Sequence, residues 1–258
     1  MTFVRSLALA LLLVAAPLRA EQIHVAAAAD LRFAMDEIVT LFRKAHPGAG
    51  VEVSYGSSGK FYAQIRNGAP FDLFFSADFE LPEKLVEAGL AGPEIKPYAV
   101  GRIVVWRPDI DARPLTLGEL ARPEIRRIAI ANPKHAPYGM RAVEALKAAQ
   151  VWDVVESRLV HGENIAQTAQ FVQTGNADAG IIALSLALAP AFAGKGSYTL
   201  VPAEMHQPLR QGFVILKHGE GKALARAFAD FFADADVRQI MGRYGFSVPA
   251  SPVRQRHG

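Results

Sequence analysis

Residues 51–78 read VEVSYGSSGKFYAQIRNGAPFDLFFSAD, and three local patterns within them decide the architecture. Val51 to Tyr55 is rich in β-forming side chains in alternation, which predicts a strand. Phe61, Tyr62 and Ile65 recur at helical spacing, so a helix follows the small-residue turn Gly56-Ser57-Ser58-Gly59. Phe71-Asp72-Leu73-Phe74-Phe75 is an apolar run of strand length. Strand, helix and strand in so short a span call for parallel pairing through a helical crossover.

The same alternation extends outward in both directions. Ile23 to Ala28 reads as a buried strand, and Leu31, Ala34, Met35, Ile38, Leu41 and Phe42 as one face of a helix. Leu81, Leu85 and Val86 mark a helix after residue 78. Ala99 to Trp106 (AVGRIVVW) is a long extended run that predicts a crossover into a second lobe. Strand-helix alternation then restarts, with strands at 128–130, 158–161 and 179–182 and helices carrying Val143 and Leu146, then Ile165, Thr168, Ala169 and Val172. Gly212 to Leu216 is a last strand, followed by two helices. The expected fold is α/β with two lobes, each a mainly parallel sheet flanked by helices. Residues 21–99 and 203–258 form the first lobe in this reading and 100–202 the second, with a ligand cleft between them.

The chain has 258 residues, 28 basic and 25 acidic side chains, no cysteine, and 51% hydrophobic residues. That composition belongs to ordinary globular domains, not to disordered or multi-span membrane chains. Without cysteine there is no disulfide framework, thiolate metal site, catalytic thiol or cysteine-linked lipid anchor. Arg5, the apolar run Leu7 to Ala16, Pro17 and the small Ala20 have the order of a secretory signal peptide spanning residues 1–20, and the run is too short to cross a bilayer. Its removal takes Arg5 and Arg19 and no acid. The near-neutral remainder is not a nucleic-acid binder by charge, and the expected location is the periplasm.

Chemistry in open α/β sheets gathers at the carboxyl ends of the strands. Four strand-to-helix junctions stand out: Ala28-Ala29-Asp30, Tyr55 to Gly59, Pro133 to Gly139, and His161 to Asn164. Each precedes a helix whose first amides lack intrahelical partners and carry the positive end of the dipole, which suits an anion. Asp30, Ser57, Ser58 and Asn164 are also ordinary helix caps. It is their occurrence as a set, two junctions in each half, that points to a shared anion site.

The stretches AAAADLRFAMDEI, SYGSSGKFYAQIRNGAPFDLFFSAD, AIANPKHAPYG, GENIAQTAQFVQTGNADAGI and RYGF, spread over residues 23–246, resemble the periplasmic molybdate-binding proteins of ABC transporters. The resemblance implies a class II periplasmic-binding-protein fold, capture of a tetrahedral dianion (molybdate or tungstate) between the lobes, and delivery to an inner-membrane ABC permease. It implies a monomer and no cofactor, with molybdenum present only as the oxyanion. Carried over by position, the ligand-binding residues are Asp30, Ser57, Ser58, Tyr138 and Ile165, with backbone amides offered at Tyr138 and Ile165. The family's tyrosine hydroxyl comes from one of two positions; one is Ala183 here, so Tyr138 takes both roles.

Asp30 departs from the serine or asparagine of the family. An ionised carboxylate aimed at a dianion costs several kcal/mol in a low-dielectric cleft. Three readings follow. Asp30 offers its backbone amide and turns its side chain to cap its own helix, which is the common habit of aspartate at such a junction. Alternatively a cation at Lys60, Lys134 or His135 compensates it, or the ligand carries a proton that Asp30 accepts.

Other chemistries find less support. Gly56-Ser57-Ser58-Gly59-Lys60 is too short for a phosphate loop and has Phe61 where magnesium binding needs Ser or Thr. His135 and His161 lack a regular metal-ligand spacing. Ser185 lacks the setting of a nucleophile, and Asp72 and Asp78 read as structural. An exported hydrolase needs a nucleophile beside a base, and neither is legible. A binder of phosphate, arsenate or chromate is the alternative within the same class.

Overall fold

The computed structural model describes residues 21–109 and 111–247. The expected signal peptide and the polar tail from Ser251 lie outside the described residues. In chain order the elements are β1 (Gln22–Ala28), α1 (Arg32–Ala45), β2 (Gly50–Gly56), α2 (Ser58–Arg66), β3 (Leu73–Ser76), α3 (Glu80–Glu87), β4 (Lys96–Gly101), β5 (Ile103–Arg107), β6 (Ile128–Ala131) and α4 (Pro137–Ala148). They continue with α5 (Trp152–Val155), β7 (Leu159–Gly162), α6 (Ile165–Gln173), β8 (Ala179–Ala183), α7 (Leu184–Ala187), β9 (Ser197–Leu200), β10 (Leu209–Ile215), α8 (Ala223–Phe231) and α9 (Ala235–Arg243). A 3-10 turn, Ala29–Leu31, joins β1 to α1.

Two five-stranded sheets form, in the orders β2-β1-β3-β10-β4 and β7-β6-β8-β5-β9. In each, the strands linked by helical crossovers pair in parallel: β1 with β2 and β3, β6 with β7 and β8. The strands that cross between sheets pair antiparallel: β10 with β3 and β4, β5 with β8 and β9. Both sheets are therefore mixed rather than mainly parallel. A strand arriving from the other lobe needs no helical return over the same sheet, so nothing forces it to run with its neighbours.

The run Ala99 to Trp106 is two strands, broken at Arg102, not one. The Arg102 carbonyl accepts from the Leu184 amide at 2.9 Å, and its guanidinium donates to the Val201 carbonyl at 3.3 Å. β9 carries no apolar signature (Ser197-Tyr198-Thr199-Leu200) and was not anticipated; it is an edge strand held by backbone pairing to β5.

The return segment closes the first lobe. Phe213 of β10 stacks on Phe75 of β3 at 4.4 Å, and Phe232, which follows α8, tilts against Phe75 at 4.6 Å. Phe42 of α1 meets Phe228 of α8 edge to face at 5.0 Å. These rings join residues from both ends of the sequence. Trp106 is likewise a packing residue, buried and edge-on to Phe192 at 5.8 Å.

A buried carboxylate adds a polar clasp to the same closure. Asp72 has no exposed surface. It accepts from the His24 amide at 2.8 Å and from Lys222 Nζ at 3.0 Å, and lies 2.7 Å from His218 Nδ1. Burial alone would raise its pKa; the His24 amide, Lys222 and His218 outweigh that and hold it below the ordinary value. A carboxylate depressed in the folded state contributes stability above its unfolded pKa and loses it as pH falls through the folded one. Asp72→Asn should therefore destabilise the protein at pH 7 by about 1–3 kcal/mol. Urea denaturation should show the gap to the parent narrowing as pH falls below the ordinary carboxylate range, first as the unfolded chain takes up the proton and then as the folded carboxylate does.

Candidate functional site

The four junctions meet at one place. Asp30, Ser57, Ser58, Tyr138 and Ile165 line a single cavity, together with Ala28, Ala77 and Ala136, whose small side chains let the backbone come close. The cavity is tightly drawn, with room for about one water molecule. The lobes are closed on it.

Each junction presents helix-start amides. The Asn164 carboxamide caps α6 by accepting from the amides of Ala166 and Gln167, both at 3.0 Å. Ser57 Oγ accepts weakly from the Lys60 amide at 3.4 Å, and Pro137 stands at the first position of α4, where its missing N–H costs nothing. The caps leave the first-turn amides of Ser58, Tyr138 and Ile165 as donors beside the cavity. Ser58 Oγ accepts from the Ala77 amide at 3.0 Å, so its own hydroxyl proton is available to a ligand.

Ser57 has a different task from Ser58. Its Oγ lies 2.8 Å from both the carbonyl oxygen and Nδ1 of His135, on the opposite lobe. The Gly59 amide donates to the same carbonyl at 3.0 Å. A Cβ on Gly59 would sit 2.5 Å from that oxygen, so only glycine permits this approach. Beside it Lys60 pairs with Glu163, and His135 Nε2 lies 3.2 Å from Glu163. The Lys60 hydrogen bond is the main influence holding Glu163 below its ordinary pKa, and burial is the main one lowering His135. Lys60 and His135 are thus held by Glu163 in a clasp across the cleft and are not turned to Asp30.

The Asp30 carboxyl reaches partners far along the chain: Oδ2 accepts from Tyr138 Oη at 2.8 Å and from Gln211 Nε2 at 2.8 Å, and the amides of Asp30 and Leu31 at the helix start also lie beside it. Gln211 Nε2 also lies 3.2 Å from Tyr138 Oη. This corrects the expected role of the tyrosine: its hydroxyl proton is committed to Asp30. Oδ1 is buried with no well-formed hydrogen bond. Burial pushes the Asp30 pKa up to about 6, against the bonds from Gln211 and Tyr138 and the nearby amides of Asp30 and Leu31. Burial, with the Asp30 charge beside them, drives the pKa of Tyr138 and of Tyr98 well above 10, so both phenols stay neutral.

Sequence reasoning missed Gln211 and Gly101. Gly212 pairs with Ser76, so Gln211 stands level with the carboxyl end of β3, and a register shift in the β10–β4 pairing at Gln211/Gly212 accompanies its inward aim. Any Cβ on Gly101 would collide with Tyr138 Oη and Gln211 Nε2, so this glycine makes room for the contact. A glutamine just before the apolar run 213–216 is the sequence signal available for the first, and its burial shows its weight; the second leaves none in the sequence. Ser185 also has a part, donating from Oγ to the Asp30 carbonyl at 2.8 Å.

Residues 23–247 match the family model described as bacterial extracellular solute-binding protein. The chain is 39% identical over 243 residues to the molybdate-binding protein ModA of Rhodobacter capsulatus, covering 93% of this chain and 94% of that one. It is 37% identical over 242 residues to ModA of Azotobacter vinelandii, covering 92% and 94%. The solved structure of the Azotobacter vinelandii periplasmic molybdate-binding protein matches with a TM-score of 0.83 at 33% identity, over 89% of this chain and all of that one (100%). The sulfate-binding protein SubI of Mycobacterium tuberculosis shares the fold, with a TM-score of 0.71 at 18% identity.

Two outcomes follow from this geometry. Gly59→Ala should favour α2 locally by up to about 1 kcal/mol while its Cβ obstructs the His135 carbonyl. Small-angle scattering of the ligand-free variant should give a larger radius of gyration than the parent, with thermal stability retained. Asp30, an acid whose pKa is raised on folding, costs the folded state stability as pH rises from about 4 through about 6. Asp30→Asn should melt higher than the parent at pH 8, and the difference should shrink by pH 5.

Proposed function

The chain belongs to the bacterial extracellular solute-binding proteins, and we propose that it captures molybdate or tungstate between its lobes and passes the anion to an ABC permease of the inner membrane. One observation carries this reading. Residues from four separate strand-helix junctions, two on each lobe, line one cavity with unclaimed amides and the Ser58 hydroxyl. Neutral dipoles fixed in that arrangement replace the hydration shell of a tetrahedral oxyanion, and lobe closure keeps water out.

In this mechanism Asp30, Ser57, Ser58, Tyr138 and Ile165 form the binding site in unequal ways. Ser58 donates its hydroxyl and amide, Tyr138 and Ile165 donate amides, and Ser57 secures closure through His135. The closed cavity is smaller than a tetrahedral oxyanion, so entry requires the lobes to part. The division into residues 21–99 with 203–258 and residues 100–202 places the moving joint at the β4–β5 passage and the return before β10. Selectivity over sulfate then rests on the size to which the cavity opens, since these anions accept hydrogen bonds alike. The site binds its solute and releases it unchanged. We assign the protein to the periplasm as a monomer, exported by cleavage of residues 1–20. Among the described residues no helix is long and apolar enough to cross a membrane. A second reading, capture of a protonated oxyanion such as hydrogen phosphate, draws on Oδ1 of Asp30, which is buried without a well-formed bond.

Calorimetry of dialysed protein against molybdate, tungstate, sulfate, phosphate, arsenate and chromate separates the two. The expected result is tight binding of molybdate and tungstate and weak binding of the others. A hydrogen bond to a charged group is worth roughly 1.5–3 kcal/mol, so Ser58→Ala should weaken molybdate binding about ten- to a hundred-fold. Lys84→Ala, on the exposed face of α3, should leave it unchanged.

A further inference from the structure

We propose that Asp30 binds the oxyanion as a neutral carboxylic acid, so that capture of a fully ionised anion takes up one proton from solvent at this residue. The inference rests on the reading of the cleft as an oxyanion site and deepens it by assigning the protonation state that the bound complex requires.

The two oxygens of Asp30 are unequal. Oδ2 is saturated by two donors, Tyr138 Oη and Gln211 Nε2, each at 2.8 Å. These bonds fix the carboxyl plane and reserve Oδ2 as an acceptor. Oδ1 is buried without a well-formed bond, on a residue that lines the cavity; the amides of Asp30 and Leu31 lie near the carboxyl and favour its charge, but burial outweighs them. A proton on the carboxyl therefore belongs on Oδ1, and there it becomes a donor to an anion in the cavity. Unprotonated, Oδ1 would set a negative charge against a dianion in a water-poor space.

Among the described residues no cation is paired with Asp30, and Lys134, before α4, is exposed. Tyr138 on α4 and Tyr98 on β4 are neutral phenols, and Gln211 on β10 and Ser185 on α7 carry no charge. On α1, Arg32 lies over the Tyr55 ring and Asp36 accepts from the Tyr55 hydroxyl. On the lobes' facing edges, Lys60 of α2 and His135 before α4 are both paired to Glu163 before α6. Protonation is the remaining route to neutrality. Burial already brings the empty site partway there, and an arriving dianion raises the acid further. Affinity then falls as pH rises above the pKa of the free site, by tenfold per unit until the pKa of the complex is reached. The ligand need not carry the proton itself, so anions of strong and moderately strong acids qualify as dianions.

The test is calorimetry with sodium molybdate and sodium tungstate at pH 7.5 in buffers of different ionisation enthalpy, with affinities measured from pH 5.5 to 8.5. The parent should take up close to one proton per anion, and its dissociation constant should rise about tenfold per unit between pH 6.5 and 8.5. Asp30→Asn should take up almost none and show a flat profile. Tyr138→Phe, which removes one donor from Oδ2, should move the fall in affinity to higher pH. Tight parental binding without proton uptake overturns the inference and leaves the oxyanion reading standing. Uptake that persists in Asp30→Asn places the proton elsewhere, on His135 for instance, and also overturns it. If neither anion binds the parent at any pH, the oxyanion reading fails and the inference fails with it.

Discussion

Three segments of the chain meet on one carboxyl group. Asp30 arrives from the end of β1, Tyr138 from the start of α4 on the other lobe, and Gln211 from the return strand β10, and the last two both donate to Oδ2 of the first. A buried acceptor of this kind leaves little freedom. A donor lost from it would expose a charge to an apolar interior. The bond from Tyr138 therefore binds lobe to lobe, while the bond from Gln211 binds the crossing strand to the sheet it rejoins. The bare Cα of Gly101, in the strand that leaves the first sheet, is what lets these groups touch. Ligand site and interlobe passage are thus built from the same atoms, so a change in the charge of Asp30 acts on both.

Closure has a second support, separate from the anion. The Gly59 amide and the Ser57 hydroxyl both address the His135 carbonyl, and Lys60, Glu163 and His135 form a partly exposed charged cluster beside it. Exposed ion pairs contribute little, typically about 0–1 kcal/mol each, whereas the backbone contact is sterically exacting. The clasp is strong in shape and weak in charge. That balance suits a protein that must close reproducibly and still reopen, because a modest free-energy change moves the equilibrium between the two forms.

Much of this was legible in the sequence because it follows from local rules. Hydrophobic periodicity located the parallel strands and their crossover helices, and the rule that ligands gather at the carboxyl ends of strands selected the loops that line the cavity. What escaped was every feature set by long-range geometry. The antiparallel strands β5 and β10 read as strands, but their direction depends on where the chain enters the sheet. β9 has a polar sequence and exists through its pairing with β5. Aspartate at a helix start reads as a cap by propensity, yet Asp30 is claimed by partners 108 and 181 residues away. Ser57 and Ser58 are adjacent and chemically identical, and only the fold separates a hydroxyl aimed across the cleft from one that keeps its proton for a ligand.

The substitution of an acid for the serine or asparagine expected at position 30 can be understood from these constraints. For the two donors Tyr138 and Gln211 a carboxylate is a stronger acceptor than a serine or asparagine oxygen. The bonds from Tyr138 and Gln211 are strongest when the acid is ionised, although burial makes that the costlier form for the folded state, and the neutral acid suits an anion best. These demands apply to different states of the protein. Without an anion the ionised carboxyl shares its charge over both oxygens, and the two donors stabilise it at Oδ2. With a dianion present the neutral acid still accepts at Oδ2 through its carbonyl oxygen while Oδ1 turns from acceptor to donor. One proton thus lets a single side chain serve the scaffold and the site in turn, and the raised pKa keeps that proton within reach of near-neutral pH.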